Sequence, residues 1–523
     1  MTAKWTRTGI LVCILLLAAC SPINNENGTP TPTTGDVKPE ATNSIIESQE
    51  PTVSVPSSIP DEREVFAANL NQYGQQFLGA FPEASVYHIS LVIPEDLTEL
   101  LRGTVSVRYF NTEDVSLDEI YFRLFSNYWG GQIEVSNVMV DETPASTSLE
   151  NSDTSLRVDL DQSLAPGESV QIDMDFQLKL PETMGGNYGL LGYFDDVLVL
   201  DTFYPMIPAY DENGWYSEVP MENGDLTYND ASFYLVEVSA PADMVLAASG
   251  SVVETDTQDG VQTLTIAAGP ARDFFLAGSY DFTVVSQEWE GIQVNSYALT
   301  GFQKHQKYVL RDSVEAIKTF SDLFGPYPYS EFDVISSPML ALGIEYPGIV
   351  GILWRLYQEG ESTQGVPNDA LLESVVAHEV GHQWFYNVVG SNQQSEPWVD
   401  ESLVQYITEQ YFVAMYGDSA GDGLKANWNA RWERAEKEEI PIGLEADDYE
   451  STAYSAIVYG RGPLFYLELE NQLGRDTLLK GISTYYMQHQ FQLAHTEDVR
   501  ASLESACGCD LTDMFEEWVY PEN

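Results

Sequence analysis

Basic residues are scarce in this chain. Its 523 residues include 23 Lys and Arg against 81 Asp and Glu, a formal net charge of −58. That sign excludes nucleic acid as a partner, because phosphate binding needs a positive footprint. The acidity itself reads as a solvated, self-repelling surface, since net charge acts on solubility before specificity. Cysteine is equally sparse, at four residues, so no disulfide framework is encoded. Beyond the N-terminus there is no long apolar run, and no further segment is read as a membrane-spanning helix. No internal repeat stands out. Histidine occurs six times in all, which gives weight to any place where two fall together. What is abundant is apolar: 44% hydrophobic and 12% aromatic residues permit a large core, and the length suggests two or three domains.

The first sixty residues read as targeting and tether rather than fold. Lys4 and Arg7 precede the apolar stretch Ile10 to Leu17, which is too short to cross a bilayer. It ends Leu17-Ala18-Ala19-Cys20, which resembles the bacterial lipoprotein signal. The resemblance implies that residues 1–19 are removed and that Cys20 is lipidated. An ordinary secretory signal cut near Ala19 is the alternative. Residues 20–60 carry seven prolines and no aromatic residue, the composition of a disordered tether. As a random coil it would span roughly 35 Å. The expected location is extracytoplasmic, anchored by lipid to a bacterial membrane. Of the remaining cysteines, Cys507 and Cys509 stand one residue apart. Export favours a bonded pair and free thiols are the other possibility; no nearby His or Cys completes a metal site with them.

From 61 to 285 the hydrophobic pattern has a period of two, as in Val170-Gln171-Ile172-Asp173-Met174-Asp175-Phe176 and Thr104-Val105-Ser106-Val107-Arg108-Tyr109. Turn residues such as Ala165-Pro166-Gly167 separate the runs. Many short strands so spaced predict an antiparallel β domain, a sandwich or open barrel. From 286 to 523 the period becomes mainly helical. Tyr308, Leu310, Val314, Ile317 and Phe320 are assigned to one amphipathic face, and a short strand is expected over 332–336. A helical segment runs from Pro367 to Val389, and a helix opens near Pro397. Further helices are expected over roughly 410–437, 452–471, 475–489 and 496–518. The fold class is therefore α+β.

The segment from Pro367 holds His378-Glu379-Val380-Gly381-His382. Histidines at i and i+4 share one face of a helix, so both can ligate one metal. The run before them is apolar, so the helix is buried, and buried polar groups must be satisfied. Eighteen residues on, Glu401 lies between bulky apolar neighbours in Trp398-Val399-Asp400-Glu401-Ser402. Two His and one Glu are a hydrolytic Zn²⁺ set that leaves one coordination position open. Glu379, beside the ligands, is suited to act as general base for water.

The pattern His-Glu-x-x-His-x18-Glu, with Trp398 three residues before the last Glu, resembles the gluzincin metallopeptidases of the aminopeptidase N family. Phe324 to Tyr329 is similar to the family's Phe-Gly-x-Tyr-Pro segment. Leu342-Gly343-Ile344-Glu345-Tyr346 falls in the place of its Gly-x-Met-Glu-Asn motif. Tyr454 to Gly462 resembles its Tyr-x-Lys-Gly region, with Arg461 where Lys is common. The resemblance covers roughly 65–520. It implies a saddle-like N-terminal β domain followed by a thermolysin-like zinc domain, one Zn²⁺ per chain, and peptide substrates. It further implies that Tyr459 is the oxyanion donor, that Glu345 binds the substrate's α-amino group and that the Gly343 backbone contacts substrate. Three positions around Glu345 depart from the family: Leu342, Ile344 and Tyr346. No clear counterpart of the family's amine-assisting Gln or Glu from the β domain is found; the corresponding region is expected within Thr202 to Trp215. The C-terminal helical domain of longer relatives has no counterpart before residue 523, so a more open site is expected, or one closed by the N-terminal domain or another subunit. The reading is a zinc aminopeptidase. The alternatives are an endopeptidase or dipeptide-releasing enzyme on the same zinc, and a non-catalytic binding lipoprotein.

Overall fold

A computed structural model describes residues 63–363, 366–450 and 452–521. The expected signal and tether lie outside these residues, and among the described ones no helix is long and apolar enough to cross a membrane.

The β-rich half is built on an eight-stranded sheet. From one edge its strands are Ser251–Gln258, Val261–Ala271, Ser232–Pro241, Val86–Val92, Leu101–Phe110, Ser169–Lys179, Gln132–Val140 and Thr143–Pro144. Period two is visible in the packing: along Ser169–Lys179, Val170, Ile172, Met174, Phe176 and Leu178 are all buried, as alternation across a pleat requires. The expectation of an antiparallel domain needs one correction. Val86–Val92 pairs in parallel with Ser232–Pro241, which the chain reaches only after contributing strands to two smaller sheets. One of these is four-stranded, the other three-stranded, and no barrel closes among the described residues.

The second half opens with a five-stranded sheet ordered Phe282–Trp289, Ile292–Leu299, Glu331–Ser337, Ile349–Leu353 and Gly343–Tyr346. Its first strand straddles residue 285, so the sheet of the helical half begins at Phe282. The edge strand Gly343–Tyr346 pairs antiparallel with Ile349–Leu353 and is buried throughout.

Helix Gln303–Phe324 buries Val309, Leu310, Val314, Ile317 and Phe320. Tyr308 was assigned to that face, but it is 37% exposed and lies beneath Arg311, 5.4 Å from ring to guanidinium. It sits two residues before Leu310, and two residues turn a helix through about 200°. The single helix expected over 410–437 is two, Leu403–Tyr416 and Asp422–Trp432, divided at Gly417, whose φ is 89°. That left-handed backbone suits glycine and ends the first helix. The helix expected over 496–518 is likewise split, into Thr496–Cys507 and Thr512–Trp518. Gly508 lies at φ 64°, and Cys507 and Cys509 are bonded to each other.

Candidate active site

The helix Asn368–Gly381 carries the motif. Leu371, Leu372, Val375, Val376, Ala377 and Val380 are all buried, so beyond its exposed first turn the helix runs through the core. It ends at His382, and the segment expected to continue to Val389 instead turns back. Gly381 permits a close approach: a Cβ there would lie 3.0 Å from Val404 Cγ1 and 3.1 Å from Ile407 Cδ1. The helix that follows Glu401 is thereby drawn against the two histidines.

Glu401 and Tyr459 both sit on wide, π-helical turns, Trp398–Ser402 and Ile457–Arg461, a geometry that recurs at functional positions. The two turns are locked together. The Ser402 hydroxyl donates to the Val458 carbonyl at 2.6 Å, and a Cβ on Gly462 would meet Ser402 Oγ at 1.9 Å. Behind them Trp398 is fully buried, and its indole N–H donates to Thr496 Oγ1 at 3.0 Å.

These constraints bring together the three residues expected to hold metal. His378 Nε2 and His382 Nε2 are 3.2 Å apart. Glu401 Oε2 is 3.3 Å from the first and 3.8 Å from the second. Four-coordinate zinc with bonds of about 2.0–2.1 Å requires ligand–ligand edges of about 3.3 Å, so the donor set fits that ion. All three are buried, at 3%, 0% and 2% exposure. Asp400 Oδ1 lies 2.8 Å from His382 Nδ1. With Nε2 as the ligand, Nδ1 carries the proton and donates it to Asp400, the usual outer support of a metal-binding histidine. Gln393 Nε2 donates to the other Asp400 oxygen at 2.5 Å. On the His378 side, Thr408 Oγ1 lies 3.5 Å from Nδ1.

The electrostatics follow from carboxylates crowded out of water. Burial lowers the basicity of His378. Burial acts the same way on His382, but Glu345 and Asp400 outweigh it and raise that imidazole well above its usual range. Glu401 is held below the ordinary carboxylate range: desolvation opposes this, and the bond to His378 overrides it.

Glu379 is fully buried and neither of its oxygens has a hydrogen-bond partner. Desolvation raises it well above the usual range. Its carboxylate packs on Gly343, where a Cβ would lie 2.4 Å from Oε1. Gly343 thus makes room for Glu379, a contact the sequence reading did not anticipate. Glu345, two residues along the same edge strand, is 3% exposed. Its Oε1 is 3.6 Å from His382 Nδ1, and its Oε2 has no partner. Burial, before any charge effect, raises it too. The Tyr459 hydroxyl donates to Glu401 Oε1 at 2.7 Å, and the Tyr454 ring meets its edge at 6.0 Å.

The structure thus brings His378, His382, Glu401, Glu379, Glu345, Gly343 and Tyr459 close together. The sequence reading missed Asp400, Gln393, Asp201 and Asp225. The signal for Asp400 was present, an acid set between Val399 and Glu401 in a buried run. Asp201 and Asp225 sit on irregular segments of the β-rich half, and no periodicity marks them. Both line a cavity of about 680 Å³ together with Glu345.

Residues 308–518 match the model of the peptidase family M1 domain. The chain is 24% identical over 300 residues to aminopeptidase M1 of Arabidopsis thaliana, covering 54% of this chain and 33% of that one. It is 22% identical over 408 residues to aminopeptidase 2 of Candida albicans, covering 74% and 42% respectively. The chain thus spans between a third and a half of the length of these relatives. The fold is like that of an M1 zinc metallopeptidase from Deinococcus radiodurans, with a TM-score of 0.63 and 18% identity, covering 84% of this chain and 94% of that one. The chain thus carries a peptidase family M1 domain over residues 308–518, and its motif and two-part fold are like those of the aminopeptidase N family of gluzincins.

Proposed function

We propose that the chain is a zinc-dependent aminopeptidase, removing residues from the free amino end of peptides. One observation carries the reading. Two buried carboxylates, Glu379 and Glu345, flank the ligand set with oxygens that have no protein partner, and Glu345 also lines a cavity. Buried oxygens without partners are costly, and substrate groups would satisfy them.

Zinc, when held by His378, His382 and Glu401, supplies Lewis acidity toward water and the scissile carbonyl. Glu379 takes the proton from the attacking water and passes it to the departing amine. Its raised basicity, caused by burial, suits both steps. Glu345 pairs with the substrate's α-ammonium, so the bond presented for cleavage is the first in the chain. Tyr459, whose hydroxyl already reaches Glu401, is suited to donate to the developing oxyanion. Asp400 keeps the His382 ring turned.

The test is a panel of fluorogenic amino-acid amides, each with a free and an acetylated α-amino group. Zinc-loaded chain should hydrolyse the free forms, lose activity to a chelator and recover it with zinc. No hydrolysis at all would overturn the peptidase reading; equal rates on acetylated amides would overturn its amino-terminal part.

We also infer that Cys20 is lipidated and holds the enzyme at a bacterial membrane. The support is the Leu17-Ala18-Ala19-Cys20 signature and the proline-rich stretch after it. Metabolic labelling with a palmitate analogue should mark the protein, and Cys20→Ala should abolish the mark.

A further inference from the structure

Glu345 also lines the cavity of about 680 Å³. The cavity walls come from both halves of the molecule, and they combine acidic and aromatic side chains with aliphatic ones such as Leu190, Met221 and Leu226. With Glu345 assigned to the α-amino group, Asp201 and Asp225 remain, with Glu222 at the rim; the one cation on the lining is Arg434, which is exposed. Neither Asp201 nor Asp225 makes an ion pair among the described residues. Asp201 is only 8% exposed. Gln393 Nε2 lies 3.4 Å from Glu345 Oε1 and 3.5 Å from Asp225 Oδ2, so one amide links the amine-binding acid to the second acid of the cavity.

A further observation is independent of these charges. Thr202 Oγ1 is buried and has no hydrogen-bond partner, and Thr202 lines the same cavity at 3% exposure. Its φ is 46°, a backbone conformation a β-branched residue rarely adopts. Glu345 Oε2 is likewise buried and without a partner. Two acids without counter-ions thus line one space, and two buried oxygens without donors belong to residues of the same lining. Tyr128, Trp129, Tyr188 and Tyr386 supply flat faces around it.

We propose that this cavity receives the side chain of the substrate's first residue and selects a guanidinium, so that peptides beginning with arginine are the preferred substrate class. The inference rests on the aminopeptidase reading above. A planar guanidinium offers several donors to carboxylate and hydroxyl oxygens and stacks on aromatic rings, which an ammonium does less well. Burial pushes Asp225 up to about 7 and Asp201 well above its usual range. An arriving cation would favour the ionised form of both.

Two measurements on the full, zinc-loaded chain test this. The first compares kcat/KM on arginyl, lysyl, leucyl and alanyl amides. Arginyl amide should lead leucyl amide by at least 10-fold, and Asp201→Asn and Asp225→Asn should each cut the Arg:Leu ratio roughly 10- to 100-fold, the range for a lost charge-assisted hydrogen bond. The second is calorimetric binding of L-argininamide against L-leucinamide, which needs no turnover. A leucyl or alanyl preference, or an Arg:Leu ratio within twofold of wild type in both variants, overturns the pocket while leaving the peptidase intact. Absent hydrolysis with tighter argininamide binding supports the pocket and overturns only the peptidase reading. Absent hydrolysis with equal binding overturns both.

Discussion

Replacing Gly343 by alanine tests the positioning of the general base without touching it. The added methyl would lie 2.4 Å from Glu379 Oε1, 2.6 Å from its carboxyl carbon and 2.7 Å from Cγ. Ordinary contact for such atoms is about 3.5 Å, so the carboxylate must retreat by about 1 Å. It cannot lean on a hydrogen bond, since it has none to protein, and it has no solvent to move into. A misplacement of about 1 Å costs about 100-fold in rate, within the 100- to 10,000-fold that general base catalysis contributes. Overpacking should cost roughly 1–3 kcal/mol in stability, which a folded chain of this size tolerates. No metal-ligand atom is among the nearest neighbours of the new methyl, so zinc content should stay at one per chain. The expected result is a fall in kcat of about 100-fold with metal retained. Because the effect runs through Glu379, adding Gly343→Ala to Glu379→Gln should slow that variant little further. A Gly343→Ala enzyme within threefold of wild-type kcat, folded and zinc-loaded, would refute the reasoning.

Three other outcomes follow from the same geometry. Asp400→Asn weakens the support of His382 Nδ1 and should raise the zinc Kd by roughly 10- to 100-fold, read by competition with a chelating dye; an unchanged Kd contradicts the assigned role. Tyr459→Phe should keep zinc and lose roughly 100-fold or more in kcat, the usual cost of removing an oxyanion donor, whereas loss of metal with normal turnover per bound zinc would make its bond to Glu401 the whole of its function. Stability should fall as pH rises from about 4 to 7. Burial pushes Asp273 and Asp312 up to about 7 from 3.8, so across that window the folded chain binds more protons than the unfolded one, at up to about 1.4 kcal/mol per pH unit for each group. The melting temperature should be lower at pH 7 than at pH 5.5, and Asp312→Asn should shrink the difference; a flat profile contradicts it.

The metal site was legible because its information is local. Spacing within one helix aligns His378 with His382, and Glu401 follows on the next helical segment, so no long-range topology had to be known. The alternation in Ser169–Lys179 was legible for the same reason. What escaped the reading depends on tertiary approach. The parallel pairing of Val86–Val92 with Ser232–Pro241 joins strands far apart in the chain, and both strands alternate as an antiparallel pair would. The break at Gly417 depends on a backbone sign that periodicity does not encode. The packing of Gly343 against Glu379, from a helix more than thirty residues later, depends on tertiary approach as well. Asp201 and Asp225 reach the cavity from irregular chain, where there is no pattern to extrapolate. The two acids bearing on specificity were thus the hardest to see, while the two histidines bearing on chemistry were the easiest.

The central claim is that a buried, metal-adjacent Glu379 drives peptide hydrolysis. The most direct test pairs metal analysis with turnover for wild type and Glu379→Gln on the same amino-acid amide. The account predicts one zinc per chain in both proteins and a rate at least 1,000-fold lower in the variant, as general base loss allows. Equal rates in the two zinc-loaded proteins would contradict it.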